Sequence, residues 1–83
     1  MFIVYAIYNQ KHNKIYIGQT KDIEDRLDLH KSKVFHKSYT SRFDGQWKLI
    51  YKEQVPDRQT ALRREKELKS FRGREFIKKY IPR

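Results

Sequence analysis

Apolar and polar residues along the chain change period several times, and each change marks an element. Residues 2–8 (Phe-Ile-Val-Tyr-Ala-Ile-Tyr) are β-branched, aromatic or small throughout, which predicts a buried strand. A period of two puts Phe2, Val4, Ala6 and Tyr8 on one face and Ile3, Tyr5 and Ile7 on the other. Asn9 to Asn13 is a polar link with turn formers at both ends. Lys14 to Gln19 predicts a second strand, with Ile15 and Ile17 facing one way and Tyr16 and Gly18 the other. So short a link implies an antiparallel hairpin.

The period then lengthens. Thr20 or Asp22 can cap a helix from about Ile23 to Lys31, with Ile23 and Leu27 as its apolar stripe and Glu24 and Asp25 near its positive end. Val34 to Gly45 is polar, basic and aromatic and reads as a loop. Gln46 to Val55 predicts a third strand, in which Trp47, Leu49 and Tyr51 alternate with Lys48, Ile50 and Lys52. Pro56-Asp57 breaks it, and Asp57 or Thr60 can cap a helix through about Ser70, with Ala61, Leu62, Leu68 and Phe71 as core contacts. Gly73 reads as an interruption. Arg74 to Tyr80 predicts a last turn or two through Phe76, Ile77 and Tyr80, ended by Pro82. The order strand-strand-helix-strand-helix-helix predicts an α+β domain, a three-stranded antiparallel sheet flanked by helices, with residues 1–83 as a single domain.

Charge narrows the partners. Twenty Lys and Arg against ten Asp and Glu leave a formal net charge of +10, a self-repulsion that a polyanion relieves. Nucleic acid is the commonest such partner, since each neutralised phosphate adds affinity through counterion release. An anionic membrane ranks lower, because the cations are spread through every segment and do not form one amphipathic basic helix. Without cysteine there is neither a disulfide framework nor a zinc–thiolate site, which agrees with a reducing, cytoplasmic location. No apolar run nears the roughly 20 residues of a membrane span, and Met1 to Tyr5 reads as structure, not as a leader.

Four features exceed what a thin core requires. Tyr5 and Tyr16 fall near each other if the hairpin is symmetric about its turn. Arg26 and His30 are four apart on the first helix. Glu65 is a carboxylate among apolar core positions. His36, Lys37, Tyr39 and Arg42 crowd one loop. Each has an ordinary explanation: a packed tyrosine pair, a solvated helix face, a surface charge network, or a general phosphate-attracting patch.

In this order and spacing they resemble the GIY-YIG nuclease superfamily. Tyr16-Ile17-Gly18 is the second half of the name motif intact; Val4-Tyr5-Ala6 stands where the first half belongs, keeping the tyrosine. Tyr16 through His30 resembles the family's strand-to-helix segment, and Trp47-Lys48-Leu49-Ile50-Tyr51 its third strand. Ala61 through Lys69 resembles the helix bearing the family's metal-binding glutamate, here Glu65 in Glu-x-x-Leu-Lys. The similarity covers almost the whole chain and looks closest to short standalone bacterial members of the URI type, which are similar to the N-terminal nuclease domain of a DNA-repair excinuclease. The chain departs from the family in lacking the first motif's glycine and any asparagine between Glu65 and Arg83.

The resemblance implies metal-dependent hydrolysis of DNA phosphodiesters, in repair, recombination or restriction. Glu65 would hold one Mg²⁺ or Mn²⁺, Arg26 would neutralise phosphoryl charge, Tyr5 or Tyr16 would orient and help deprotonate the attacking water, and His30 would accept or relay the proton. His36, Lys37, Tyr39, Arg42 and Lys69 would grip the strand. The expected partner is DNA, structured or single-stranded, with no membrane; the expected state is a monomer, brought to its substrate by DNA structure or a targeting protein. Two rivals share the charge: a non-catalytic nucleic-acid-binding module on the same fold, and a basic structural protein of a ribonucleoprotein particle. Neither accounts for Tyr5, Tyr16, Arg26, His30 and Glu65 occurring together.

Overall fold

The computed structural model describes residues 1–24 and 44–82. Strands β1 (Phe2–Asn9), β2 (Lys14–Thr20) and β3 (Trp47–Val55) form a three-stranded sheet in the order β2-β1-β3, antiparallel throughout. Helices α1 (Arg58–Lys69) and α2 (Phe71–Lys78) follow. This is the expected α+β architecture; Ile23 and Glu24 are helical, and the rest of the helix predicted there and the loop predicted to Gly45 lie largely outside the described residues.

Each β1 face has its own core. Val4, Ala6 and Ile17 pack with Val55 beneath Ala61 and Leu68 of α1 and Ile77 of α2. On the other face Tyr5, Ile7 and Trp47 form a second cluster, flanked by Ile3, Tyr16 and Ile23. β1, central in the sheet, is therefore apolar at every position from Ile3 to Tyr8, as a strand buried on both faces must be.

The alternation predicted for β3 breaks in the middle. Ala6 pairs with Tyr51 but Ile7 pairs with Leu49, so Ile50 is the extra residue of a bulge. One inserted residue inverts the facing of everything beyond it. Trp47 therefore joins Tyr5, whereas Tyr51 faces the helices, where its ring meets Phe76 and Tyr80 at centroid distances of 5.5 and 5.0 Å. Tyr51 Oη also donates to Glu53 (2.6 Å), and Arg64 Nε of α1 donates to the same carboxylate oxygen (2.9 Å). The Glu53 carboxylate keeps the Arg64 guanidinium firmly protonated, and burial, with the help of Glu53, raises the Tyr51 phenol above its ordinary value.

The hairpin turn is tied to the start of β3. Asn13 adopts a left-handed conformation (φ 53°), which Asn tolerates, and accepts from Tyr8 Oη at 2.8 Å. The buried Asn9 side chain accepts from His12 N (3.1 Å) and donates to the Asp44 carbonyl (2.9 Å). Asp44 in turn takes both Lys11 and His12, the latter at 2.6 Å.

The helical region differs from the expectation at three points. Asp57 caps α1 as predicted, accepting from Thr60 N at 2.7 Å. Leu62, however, is 44% exposed and Phe71 80% exposed, so neither is a core contact. The sheet-facing stripe is Ala61, Glu65 and Leu68, spaced i, i+4, i+7, and Leu62 lies a further rotation toward solvent. Gly73 does not interrupt a helix but sits inside α2. A Cβ there would stand 2.2 Å from the Glu67 carbonyl and 2.4 Å from Leu68 Cα, so the bare glycine lets the two helices touch backbone to backbone. Ser70 alone separates them, and its hydroxyl caps α2 by accepting from Gly73 N at 3.2 Å. No described helix is long and apolar enough to cross a membrane.

Candidate active site

The two motif tyrosines meet as the hairpin symmetry predicts. Tyr5 pairs with Gly18 and Tyr16 with Ile7, which makes the tyrosines diagonal neighbours on one face, their ring centroids 6.3 Å apart and the planes inclined at 43°. The glycine of the motif has a packing reason: a Cβ at Gly18 would lie 2.9 Å from Tyr5 Oη and 3.0 Å from Tyr16 Cε2. Gly18 thus forms the floor on which both rings rest. The tyrosines differ in access. Tyr5 is 1% exposed, whereas Tyr16 is half-buried on β2, an outer strand of the sheet.

Glu65 comes from the helix layer on the opposite side of the sheet. Its place between Ala61 and Leu68 leaves the side chain 22% exposed, and its carboxylate lies 3.6 Å from Lys69 Nζ, one helical turn on. The two layers come together beyond the outer edge of β2. An open groove of about 820 Å³ there is lined by Tyr16 with Lys14 on the strand side, and by Lys69, Arg74 and Lys78 on the helix side. Lys69, the ion-pair partner of Glu65, therefore shares a groove with Tyr16. A smaller hollow of about 380 Å³ beside Tyr8 and Lys48 holds none of the candidate residues.

Of the residues singled out in the sequence, the fold thus packs Tyr5 against Tyr16, pairs Glu65 with Lys69, and brings Lys69 to the groove of Tyr16. Neither Tyr5 nor Glu65 lines that groove. Arg26, His30, His36, Lys37, Tyr39 and Arg42 lie outside the described residues. The sequence reading missed Lys14, Arg74 and Lys78. Arg74 and Lys78 carry a signal in their four-residue spacing within the predicted last helical turns, whereas Lys14 carries none.

The profile of the GIY-YIG catalytic domain matches residues 1–80. The chain belongs to the GIY-YIG family. That family is one of endonucleases, and the three-stranded antiparallel sheet with its helices is its fold. A GIY-YIG-type solved structure is similar as well: the UPF0213 protein from Bacillus halodurans, determined by NMR in solution, has 28% identity and a TM-score of 0.53, over 93% of this chain and 82% of its own. Among curated proteins no sequence matches.

The metal that such nucleases use can be tested against the residues present. Among the described residues no three His, Asp or Glu side chains gather around one point, and the donor that the resemblance implies is the Glu65 carboxylate. One hard oxygen ligand beside an open groove suits Mg²⁺, which keeps several waters and takes one or two carboxylates. The Glu65–Lys69 contact, longer than a hydrogen bond, leaves the carboxylate's oxygens suited to a cation. The donor set fits.

Proposed function

We propose that this GIY-YIG protein is a divalent-metal-dependent endonuclease that hydrolyses DNA phosphodiester bonds, acting as one domain in repair, recombination or restriction. The observation that carries the reading is the placement of Glu65: a half-buried carboxylate in the sheet-facing stripe of α1, where packing favours an apolar residue, beside the lysine that shares a groove with Tyr16. A carboxylate kept at such a position costs stability and suggests a function for the charge.

When bound, the metal supplies Lewis-acid polarisation of the scissile phosphoryl group and stabilises the leaving oxygen. The chain supplies the remainder. Glu65 would hold the metal. Tyr16, half-buried at the groove, orients the attacking water through its hydroxyl, while the enclosed Tyr5 holds the Tyr16 ring in place. Arg26 neutralises charge on the phosphoryl oxygens with its planar donors, and His30 accepts the proton. Lys69 balances the Glu65 charge until substrate arrives and then meets a backbone phosphate.

The test is cleavage of labelled single-stranded, duplex and branched DNA with Mg²⁺, with Mn²⁺ and with chelator. Nicking that needs the metal supports the enzyme. Salt-sensitive binding without cleavage under any of these conditions would leave a nucleic-acid-binding module on the same fold.

A further inference from the structure

We infer that the groove along the outer edge of β2 is a backbone track for a nucleic-acid strand, gripped by Lys14 on one wall and by Lys69, Arg74 and Lys78 on the other. Three separate elements contribute these cations, and none of the described residues lining the groove is acidic. Among the described residues, Lys69 and Lys78 have acidic neighbours outside it, but loosely: Glu65 lies 3.6 Å from Lys69 and Glu75 3.4 Å from Lys78, both lysines well exposed. Such screened pairs give way readily to phosphate.

The track is built, not incidental. Arg74 Nε donates to the Lys69 carbonyl at 3.1 Å, which ties the start of α2 to the end of α1 and fixes the root of the guanidinium. Arg74 and Lys78 then follow one helix face about 6 Å apart along its axis. Gly73 permits the close helix contact that brings them level with Lys69. Ile15, Ile17 and Ile81 give the groove apolar surface for sugars and base faces, and Tyr16 adds an aromatic ring. An apolar floor with cations on both walls matches a polymer that is charged along its backbone and apolar on its bases. The net charge of +10 attracts that class of polyanion over a distance.

The inference rests on the nuclease reading only for what happens at Tyr16; the binding itself does not. It is therefore measured with chelator present, by fluorescence anisotropy of labelled single-stranded and duplex oligonucleotides across roughly 50–200 mM salt. Arg74→Gln with Lys78→Gln is compared with Lys48→Gln with Lys52→Gln, which removes the same charge from exposed positions on β3, at the other side of the sheet. A second groove variant, Lys14→Gln with Lys78→Gln, leaves the Arg74–Lys69 bond in place should the first unfold.

The groove variants are expected to bind at least about tenfold more weakly. Their plot of log affinity against log salt should be shallower by about 1.4 for single strands and 1.8 for duplex, the equivalent of two phosphates. The β3 variant should lose far less. Equal losses in groove and β3 variants would overturn the track in favour of bulk charge. Unchanged oligonucleotide binding, with weakened binding to polyglutamate, would overturn it in favour of an acidic protein partner. Weakened binding together with absent cleavage by the wild type would uphold the track while refuting the nuclease.

Discussion

Tyr5 and Tyr16 both rest on Gly18, the hydroxyl of Tyr5 and the ring edge of Tyr16 each within 3.0 Å of where a Cβ would stand. The motif glycine is thereby linked to the tyrosines by volume. Gly18→Ala should destabilise the domain by about 1–3 kcal/mol, the usual cost of overpacking. The nearest atom is the Tyr5 hydroxyl, so adding Tyr5→Phe should recover part of the loss. Urea denaturation of the two single variants and the double checks this; strictly additive effects would mean that the contact does not govern the site.

The same pair separates the roles of ring and hydroxyl. Tyr16→Phe keeps the 6.3 Å ring contact with Tyr5, so stability should move by no more than about 1 kcal/mol. Cleavage should nonetheless fall by at least about 10²-fold, the lower end of what positioned proton-transfer groups contribute. Single-turnover rates measure it, and an unaltered rate would assign Tyr16 to packing alone.

Much of this was legible beforehand. The strands follow from residues whose side-chain period is two, and the Tyr5–Tyr16 contact follows from a hairpin symmetric about its turn. Asp57 declared itself as a cap by its chemistry. What stayed hidden depended on how one element packs against another. Nothing local distinguishes Ile50 as a bulge residue; the shift appears only when β3 is laid against Ala6 and Ile7. Gly73 reads as a breaker until Glu67 and Leu68 are found against it, and Leu62 reads as core until Glu65 is seen to occupy the stripe. Glu65 stands out locally only as a carboxylate among apolar positions, and its role as a metal ligand comes from the resemblance alone.

Gly73 is predicted to be the less forgiving glycine. A Cβ there meets backbone atoms of Glu67 and Leu68 at 2.2–2.6 Å, and backbone cannot rotate away as a side chain can. Gly73→Ala should cost about 3 kcal/mol or more despite alanine's better helix propensity. Thermal unfolding would register this, and a neutral or stabilising effect would refute the backbone contact between α1 and α2.

Asp44 predicts an acid-side loss of stability. Hydrogen bonds from Lys11, and then from His12, hold its carboxyl well below the usual carboxylate range. A carboxyl depressed in the folded state stabilises above its unfolded pKa, near 3.8, and loses that contribution as the pH falls below it. Asp44→Asn should therefore be less stable than wild type at pH 6, with the gap closing toward pH 2. Urea midpoints across that range test the sign; a gap that widens in acid would contradict it.

The most direct measurement sets the wild type beside Glu65→Gln, scoring DNA binding and metal-dependent cleavage on the same preparations. The substitution removes one ligand charge and little volume, so cleavage in Mg²⁺ or Mn²⁺ should vanish while binding stays within about threefold, one phosphate contact or less. Cleavage by Glu65→Gln at the wild-type rate, or loss of binding together with activity, would contradict the assignment of Glu65 as the metal ligand of the site.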